Sequence, residues 1–324
     1  MMTLSNGSSS NLKNWLSLFR LPNLGIIILT QYLLGYGIIR PMLLIKNVEA
    51  PLGHIEFFLL VLTTTLIAAG GYIINDHFDV NTDRKNKPGK NMLEGKISIR
   101  HAFRTYYIIN GIAIVCGFYL AFEAGSYQLG LIFPAIVGLL WFYSSRYQRM
   151  PFWGNLIVAL LSAMVLLIVW LFEFYGLLKQ GGDFITVFRE LEMLNNFVWA
   201  YALFAFLVSL IREILKDIQD MEGDMVTGYR TLPVIWGMTS TRIFAATVII
   251  LSILLLAGGQ WYIYMNGMTL AFWYILIAVQ SLLLYLLYSL ILAKKHSDYG
   301  FLSNTAKIIM LAGILSMELI YINI

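Results

Sequence analysis

Charge is scarce in this chain: only 12% of its 324 residues are charged, against 59% hydrophobic, and the formal net charge is +4. With a mean hydropathy of +0.74 it lacks the polar surface that a soluble globular protein needs. So small a positive excess, dispersed in short segments between apolar runs, also speaks against nucleic acid as a partner. Cysteine is nearly absent. The one thiol, Cys116, lies within an apolar run, so neither a disulfide framework nor a cysteine-held metal is available, and the redox compartment cannot be read from it. His54, His77, His101 and His296 stand far apart, and without His or Cys at ligand spacing a zinc site is disfavoured. No Pro/Ser-rich linker divides the chain, which predicts a single integral membrane domain over 1–324. Residues 1–10 are polar and Ser-rich without the basic start, apolar core and cleavage site of a secretory signal, and are expected to form a disordered tail.

Long apolar runs are abundant. From Leu12 to Arg20 the residues Leu12, Trp15, Leu16 and Phe19 recur at helical spacing beside Lys13 and Arg20, the pattern of an interfacial helix, and Pro22 restarts the chain. A bilayer core of about 30 Å takes roughly 20 apolar residues as a helix. Nine stretches qualify, at 23–44, 55–79, 100–122, 127–146, 153–177, 196–218, 240–260, 268–293 and 302–323. The fold class expected is therefore an all-α bundle of about nine transmembrane helices. Most of the basic residues in the connections between spans fall in alternate ones, among them Arg84, Lys85, Lys87, Lys90, Lys96, Arg146, Arg149, Arg230, Lys294 and Lys295. By the positive-inside rule these connections and the N-terminus face the cytoplasm, which predicts a protein of the cytoplasmic membrane.

Two acidic triplets stand at the cytoplasmic ends of spans two and six. Asp76, Asp79 and Asp83 are spaced three and then four apart, and so are Asp217, Asp220 and Asp224. On a helix that spacing places each set on one face. Carboxylates at membrane depth are costly and are functional candidates by default. Bringing six together would cost on the order of 4 kcal/mol for each close pair at a dielectric of about 20, so a cation must accompany them. Mg²⁺ fits, because it takes oxygen ligands and binds through one or two carboxylates together with substrate phosphates. The triplets thus read as two half-sites for a metal-bridged diphosphate, with Asp76, Asp79, Asp217 and Asp220 as the metal-binding catalytic acids. Asn75 would add an amide oxygen or an orienting hydrogen bond. Nearby cations, Lys87 and Lys90 after the first triplet and Arg212, Lys216 and Arg230 around the second, can neutralise phosphate oxygens. A reading of another class is a cation transporter with the acids as its pathway, but acids gathered at one membrane face make a site rather than a path.

The motifs resemble those of the UbiA-type intramembrane prenyltransferase superfamily. The first motif matches at Asn75, Asp76, Asp79 and Asp83, the second at Asp217, Asp220 and Asp224. The wider stretch R-E-I-L-K-D-I-Q-D-M-E-G-D from Arg212 to Asp224, followed by Gly228, Thr231 and Pro233, is similar to the branch that contains digeranylgeranylglyceryl phosphate synthases. The resemblance implies a fold of about nine membrane helices and Mg²⁺-dependent transfer of a prenyl chain from a prenyl diphosphate to a lipophilic acceptor. In that reading Asp83 and Asp224 complete the metal-binding sets, and Arg149 joins Lys87, Lys90, Arg212, Lys216 and Arg230 around the diphosphate. The acceptor implied is a geranylgeranylglyceryl phosphate-type lipid, with an aromatic quinone precursor (4-hydroxybenzoate, dihydroxynaphthoate or homogentisate) as the alternative. Two departures stand out. After the first motif the branch reads N-R-P-x-R-P-x-P-S-G, whereas this chain has N-K-P-G-K-N-M-L-E-G from Asn86 to Gly95, and Gln148 replaces the lysine that precedes Arg149.

Overall fold

A computed structural model describes residues 6–86, 91–181 and 184–323, and every regular element among them is helical. In chain order these are α1 (Asn6–Leu18), α2 (Leu21–Leu34), α3 (Arg40–Ile45), α4 (His54–Asn86), α5 (Ile99–Glu123), α6 (Ile132–Ser145) and α7 (Trp153–Lys179). There follow α8 (Phe184–Glu190), α9 (Glu192–Thr227), α10 (Leu232–Met265), α11 (Thr269–Tyr274), α12 (Ser281–Leu292) and α13 (His296–Asn323). Wider π-type turns over Gly35–Ile39 and Ile275–Gln280 join α2 to α3 and α11 to α12. Nine helical stretches among the described residues are long and apolar enough to cross a bilayer. They coincide with the nine expected spans, but several extend further: the sixth covers Glu192–Thr227 and the seventh Leu232–Met265. Hydropathy marks the length that lipid can surround, whereas helix hydrogen bonding continues into the polar flanks until a cap stops it.

By density of contact the chain divides into two units, Met1–Leu29 with Leu52–Tyr147, and Thr30–Pro51 with Gln148–Ile324. In the first unit α4 packs on α5 and α6. The amphipathic α1 lays Trp15, Leu18 and Phe19 on a cluster that includes Ile73, Ile74, Leu93 and Ile97. Leu12 and Leu16 point outward, as an interfacial helix requires. The helix begins at Asn6, so the stretch expected as a tail is helical from that residue on. Taking Leu18 fully out of water contributes roughly 2 kcal/mol, and a helix anchored in this way propagates outward at little further cost.

In the second unit α9 is the central element, packed on α7, α10 and α13. It runs antiparallel to α13: Tyr201 shares a hydrogen bond of 2.6 Å with Ser316, and the ring of Phe204 lies on Gly313, where a side chain would collide with it. Further along the seam Gln219 lies on Gly300.

Candidate active site

The first acidic motif lies on the last turns of α4, where the helix continues past its apolar run, so Asn75, Asp76, Asp79 and Asp83 are helical as their spacing requires. Asp76 is buried, and its Oδ1 accepts a hydrogen bond of 2.8 Å from Nη2 of Arg20. Arg20 sits between α1 and α2 at φ 50°, a left-handed conformation rare outside glycine, and its guanidinium also lies 5.0 Å from the centre of the Tyr72 ring. Burial works against the charge on Arg20, but the Asp76 carboxylate outweighs it and raises the guanidinium pKa above its ordinary value. Asn75 donates through Nδ2 to Oδ2 of Asp79, one turn along the same helix.

Asp83 is held from the connection that follows. The side chain of Asn91, itself buried, donates to Asp83 Oδ2 at 2.9 Å and to the backbone carbonyl of Asp76 at 2.8 Å, while its Oδ1 accepts from the amide of Leu93. Asn91 occupies the position of the second proline in the branch pattern. A proline could make none of these side-chain bonds, so the departure carries a structural function of its own. Lys87 and Lys90 lie outside the described residues. His77 packs edge-on against Phe103 and Phe78.

The second motif lies on α9. Asp217 Oδ2 accepts a 2.8 Å hydrogen bond from Nδ2 of Asn155, a buried residue in the first turn of α7. Asp220 is half-buried. Asp224 is buried and accepts from Thr231 Oγ1 at 3.0 Å, and its backbone carbonyl takes the amide of Tyr229 at 2.9 Å. Between these bonds α9 ends on Gly228, at φ 79°, a left-handed turn that glycine enters without penalty. Asp224 thus fastens the end of α9 to the residue that precedes α10, in addition to any part it takes in binding metal.

The cations predicted for this half come together around α9. Glu213, buried in the apolar part of the helix, pairs with Nη1 of its neighbour Arg212 and lies 3.8 Å from Nζ of Lys216. The backbone amide of Arg230 donates to the carbonyl of Arg149 at 3.0 Å, and the Arg149 guanidinium lies over the Tyr229 ring. Arg149, Arg212, Lys216 and Arg230 therefore all belong to the unit that carries the second motif. The polar residues that sequence reasoning missed are Asn91, Asn155 and Glu213. The last had a signal, a carboxylate at membrane depth. Asn91 and Asn155 had none beyond being polar.

Among the described residues no three His, Cys, Asp or Glu side chains converge closely enough to hold an ion by themselves. The donor set nonetheless fits Mg²⁺. It consists of hard oxygens, one or two carboxylates at a time, which is what this ion takes when phosphates complete its coordination.

The model of the UbiA prenyltransferase family matches residues 41–310. A digeranylgeranylglyceryl phosphate synthase of Thermococcus sibiricus is 32% identical over 223 residues, covering 66% of this chain and 71% of its own. Two solved structures share the fold. A UbiA homolog from Aeropyrum pernix K1 superposes with a TM-score of 0.63 at 14% identity, over 90% of this chain and 97% of that one. A UbiA homolog from Archaeoglobus fulgidus bound to DMAPP and Mg²⁺ superposes with a TM-score of 0.57 at 16% identity, over 94% and 99%. With nine apolar helices, two aspartate motifs at helix ends and a family match across most of its length, the chain belongs to the UbiA prenyltransferase family and is an integral membrane enzyme.

Proposed function

We propose that this enzyme transfers a geranylgeranyl-type chain from its diphosphate to a glycerol phosphate that already carries one isoprenoid ether, with Mg²⁺ as cofactor. The observation that carries the reading is the composition of one helix: α9 presents Asp217 and Asp220 and, within two turns of them, Arg212 and Lys216. Carboxylates that take a metal beside cations that take phosphate oxygens are the elements of diphosphate recognition. The relative from Thermococcus sibiricus supports the acceptor, and the homolog bound to DMAPP and Mg²⁺ supports the donor and the ion.

In this reading Asp76, Asp79, Asp217 and Asp220 hold the metal that arrives with the diphosphate, with Asn75, Asp83 and Asp224 as supporting groups. Arg149, Arg212, Lys216 and Arg230, together with Lys87 and Lys90, neutralise phosphate oxygens. When bound, Mg²⁺ supplies Lewis acidity that weakens the ester bond to the departing diphosphate. The apolar helices hold the isoprenoid chain and keep water from the allylic carbon. The excess of basic residues in the connections on the motif side supports a site that opens to the cytoplasm, and the whole chain acts as one catalytic domain.

The test is a competition. Purified enzyme with Mg²⁺ and geranylgeranyl diphosphate is offered geranylgeranylglyceryl phosphate, 4-hydroxybenzoate, dihydroxynaphthoate and homogentisate together, and products are identified by mass. The dialkylated glycerol phosphate is expected. Prenylation of an aromatic acid alone would overturn the acceptor assignment, and cation flux in proteoliposomes without any prenyl transfer would favour a transporter.

A further inference from the structure

Far from its acid motif, the second unit holds a cavity between α9, α10 and α13. Phe197 and Phe204 of α9, Leu256 and Ile263 of α10, and Ile275 and Val279 of the π-type turn before α12 line it. Phe204 stands thirteen residues before Asp217, about 20 Å along α9. The free space is about 80 Å³, several times the roughly 10–15 Å³ that one water needs.

One polar group in the wall is unsatisfied. Gln260 of α10 is only 4% exposed, and its Nε2 meets no hydrogen-bond partner among the described residues. The other polar side chains of the wall are engaged: Tyr201 with Ser316 at 2.6 Å, Ser316 also with the carbonyl of Gly313, and Asn196 with Tyr262 Oη at 3.4 Å. A buried donor is destabilising unless something supplies it with an acceptor. Next to Gln260 the helix carries Gly258 and Gly259, both helical, and a side chain at either would meet no described atom within 4 Å. Glycine weakens a helix interior, and neither close packing nor a left-handed φ calls for it here. What Gly259 supplies to the cavity it lines is room.

Depth and chemistry together define the occupant. Gln260 stands five residues before Met265, the last residue of α10, about 7.5 Å inside the helix end. Trp261, Tyr262, Tyr264 and Trp273 around that end are exposed, the aromatic belt of a membrane interface. At this level a bilayer lipid carries the oxygens that join its chains to glycerol. They accept a hydrogen bond, and an apolar chain runs inward from each. An unpaired amide N–H beside apolar walls that continue inward to Leu256 is complementary to both parts. Water alone would satisfy the amide but would have to wet walls of a kind that stays dry.

We propose that this crevice binds one bilayer lipid in the leaflet opposite to the acid motifs, with a chain-linking ether or ester oxygen accepting from Gln260 Nε2 and the first carbons of that chain in the cavity. The site is separate from both substrates of the proposed reaction, and a lipid seated there braces α9, α10 and α13 together.

Native mass spectrometry and thermal unfolding of the delipidated full chain test the proposal. The probes are a diether phosphatidylglycerol and its analogue with methylene in place of both chain-linking oxygens. Wild type should retain one diether molecule at least tenfold more tightly than the analogue, and its unfolding midpoint should rise when the diether is added. Gln260→Leu should bind the two probes equally. Gly259→Leu, which fills the cavity from a position with open space before it, should retain neither, with a lipid-free midpoint no lower than that of wild type. Should Gly259→Leu fail to fold, the Gln260→Leu comparison decides alone. Equal retention of both probes by wild type, or an undiminished preference in Gln260→Leu, would overturn the site. Unchanged retention in a folded Gly259→Leu would place the lipid elsewhere and overturn it as well. No lipid retained by wild type would leave water as the partner of Gln260 and refute the proposal.

Discussion

Replacing Arg20 should weaken the protein and its chemistry together, by an amount set by two opposed effects. The guanidinium is the ion-pair partner of Asp76, with side-chain exposures of 39% for the arginine and 11% for the aspartate. Removing one partner of a fully buried pair costs about 3–5 kcal/mol, and an exposed pair is worth about 0–1. With one group largely buried and the other partly solvated, Arg20→Ala should cost about 2 kcal/mol. Against this stands the backbone. Arg20 is held at φ 50°, which costs a non-glycine residue roughly 1 kcal/mol, and glycine relieves that strain.

The order of stability expected is therefore wild type, then Arg20→Gly, then Arg20→Ala, the glycine variant lying about 1 kcal/mol above the alanine. Unfolding midpoints of detergent-solubilised protein, followed by tryptophan fluorescence at one scan rate, should fall by several degrees for Arg20→Ala and by less for Arg20→Gly. A double-mutant cycle with Asp76→Asn isolates the pair and should return a coupling of about 1–2 kcal/mol. A coupling below about 0.3 kcal/mol, or a glycine variant less stable than the alanine, would refute the reasoning, since the first denies the ion pair and the second the strain.

Further outcomes follow from the same geometry. Asp79→Ala and Asp220→Ala should abolish turnover while shifting the unfolding midpoint by no more than about 2 °C, a surface-scale effect on stability; near-normal turnover in either would remove that acid from the metal-binding set. Asn91→Ala leaves Asp83 and a buried carbonyl without their donor, a loss of about 1–3 kcal/mol, and Asn91→Pro should not rescue it, which the midpoints of the two variants will show. Asn155→Leu should lower kcat more than it raises KM for the donor, because Asp217 loses the bond that orients it; an unchanged kcat would show that this bond orients nothing needed for the reaction. Chelation of divalent ions should stop prenyl transfer and added Mg²⁺ restore it, with turnover in excess chelator as the contrary result.

The nine spans were legible because each is a run long enough to cross a bilayer, and the acid motifs because a three-then-four spacing survives on any helix that continues far enough. Helix ends were less legible. The sixth span, expected at 196–218, runs from Glu192 to Thr227, and its true end is set by Gly228 and by the bond from Thr231 to Asp224 rather than by hydropathy. Partners were not legible. Arg20 is 56 residues from Asp76, and Asn155 is 62 from Asp217. No local periodicity encodes a neighbour that only the packing of separate helices supplies.

Matched spacing in the two triplets conceals a division of labour within each. The outer acids are tied from outside their own helices: Asp76 by Arg20, Asp83 by Asn91, Asp217 by Asn155 and Asp224 by Thr231. Each tie fixes a rotamer before any ligand arrives and removes part of the ordering entropy that binding would otherwise have to overcome. The same ties would oppose a metal bound as proposed, because a carboxylate that accepts a hydrogen bond or an ion pair must share or surrender an oxygen to the ion. Asp76 carries the strongest such opposition, since its partner is a full positive charge. If the first motif takes Mg²⁺ as proposed, the ion and Arg20 would compete for one carboxylate, and a diphosphate that draws the guanidinium toward its own oxygens would settle that competition in favour of the ion. Metal affinity at the first motif should then rise when diphosphate is present, which is the order of events that a cofactor arriving with its substrate requires.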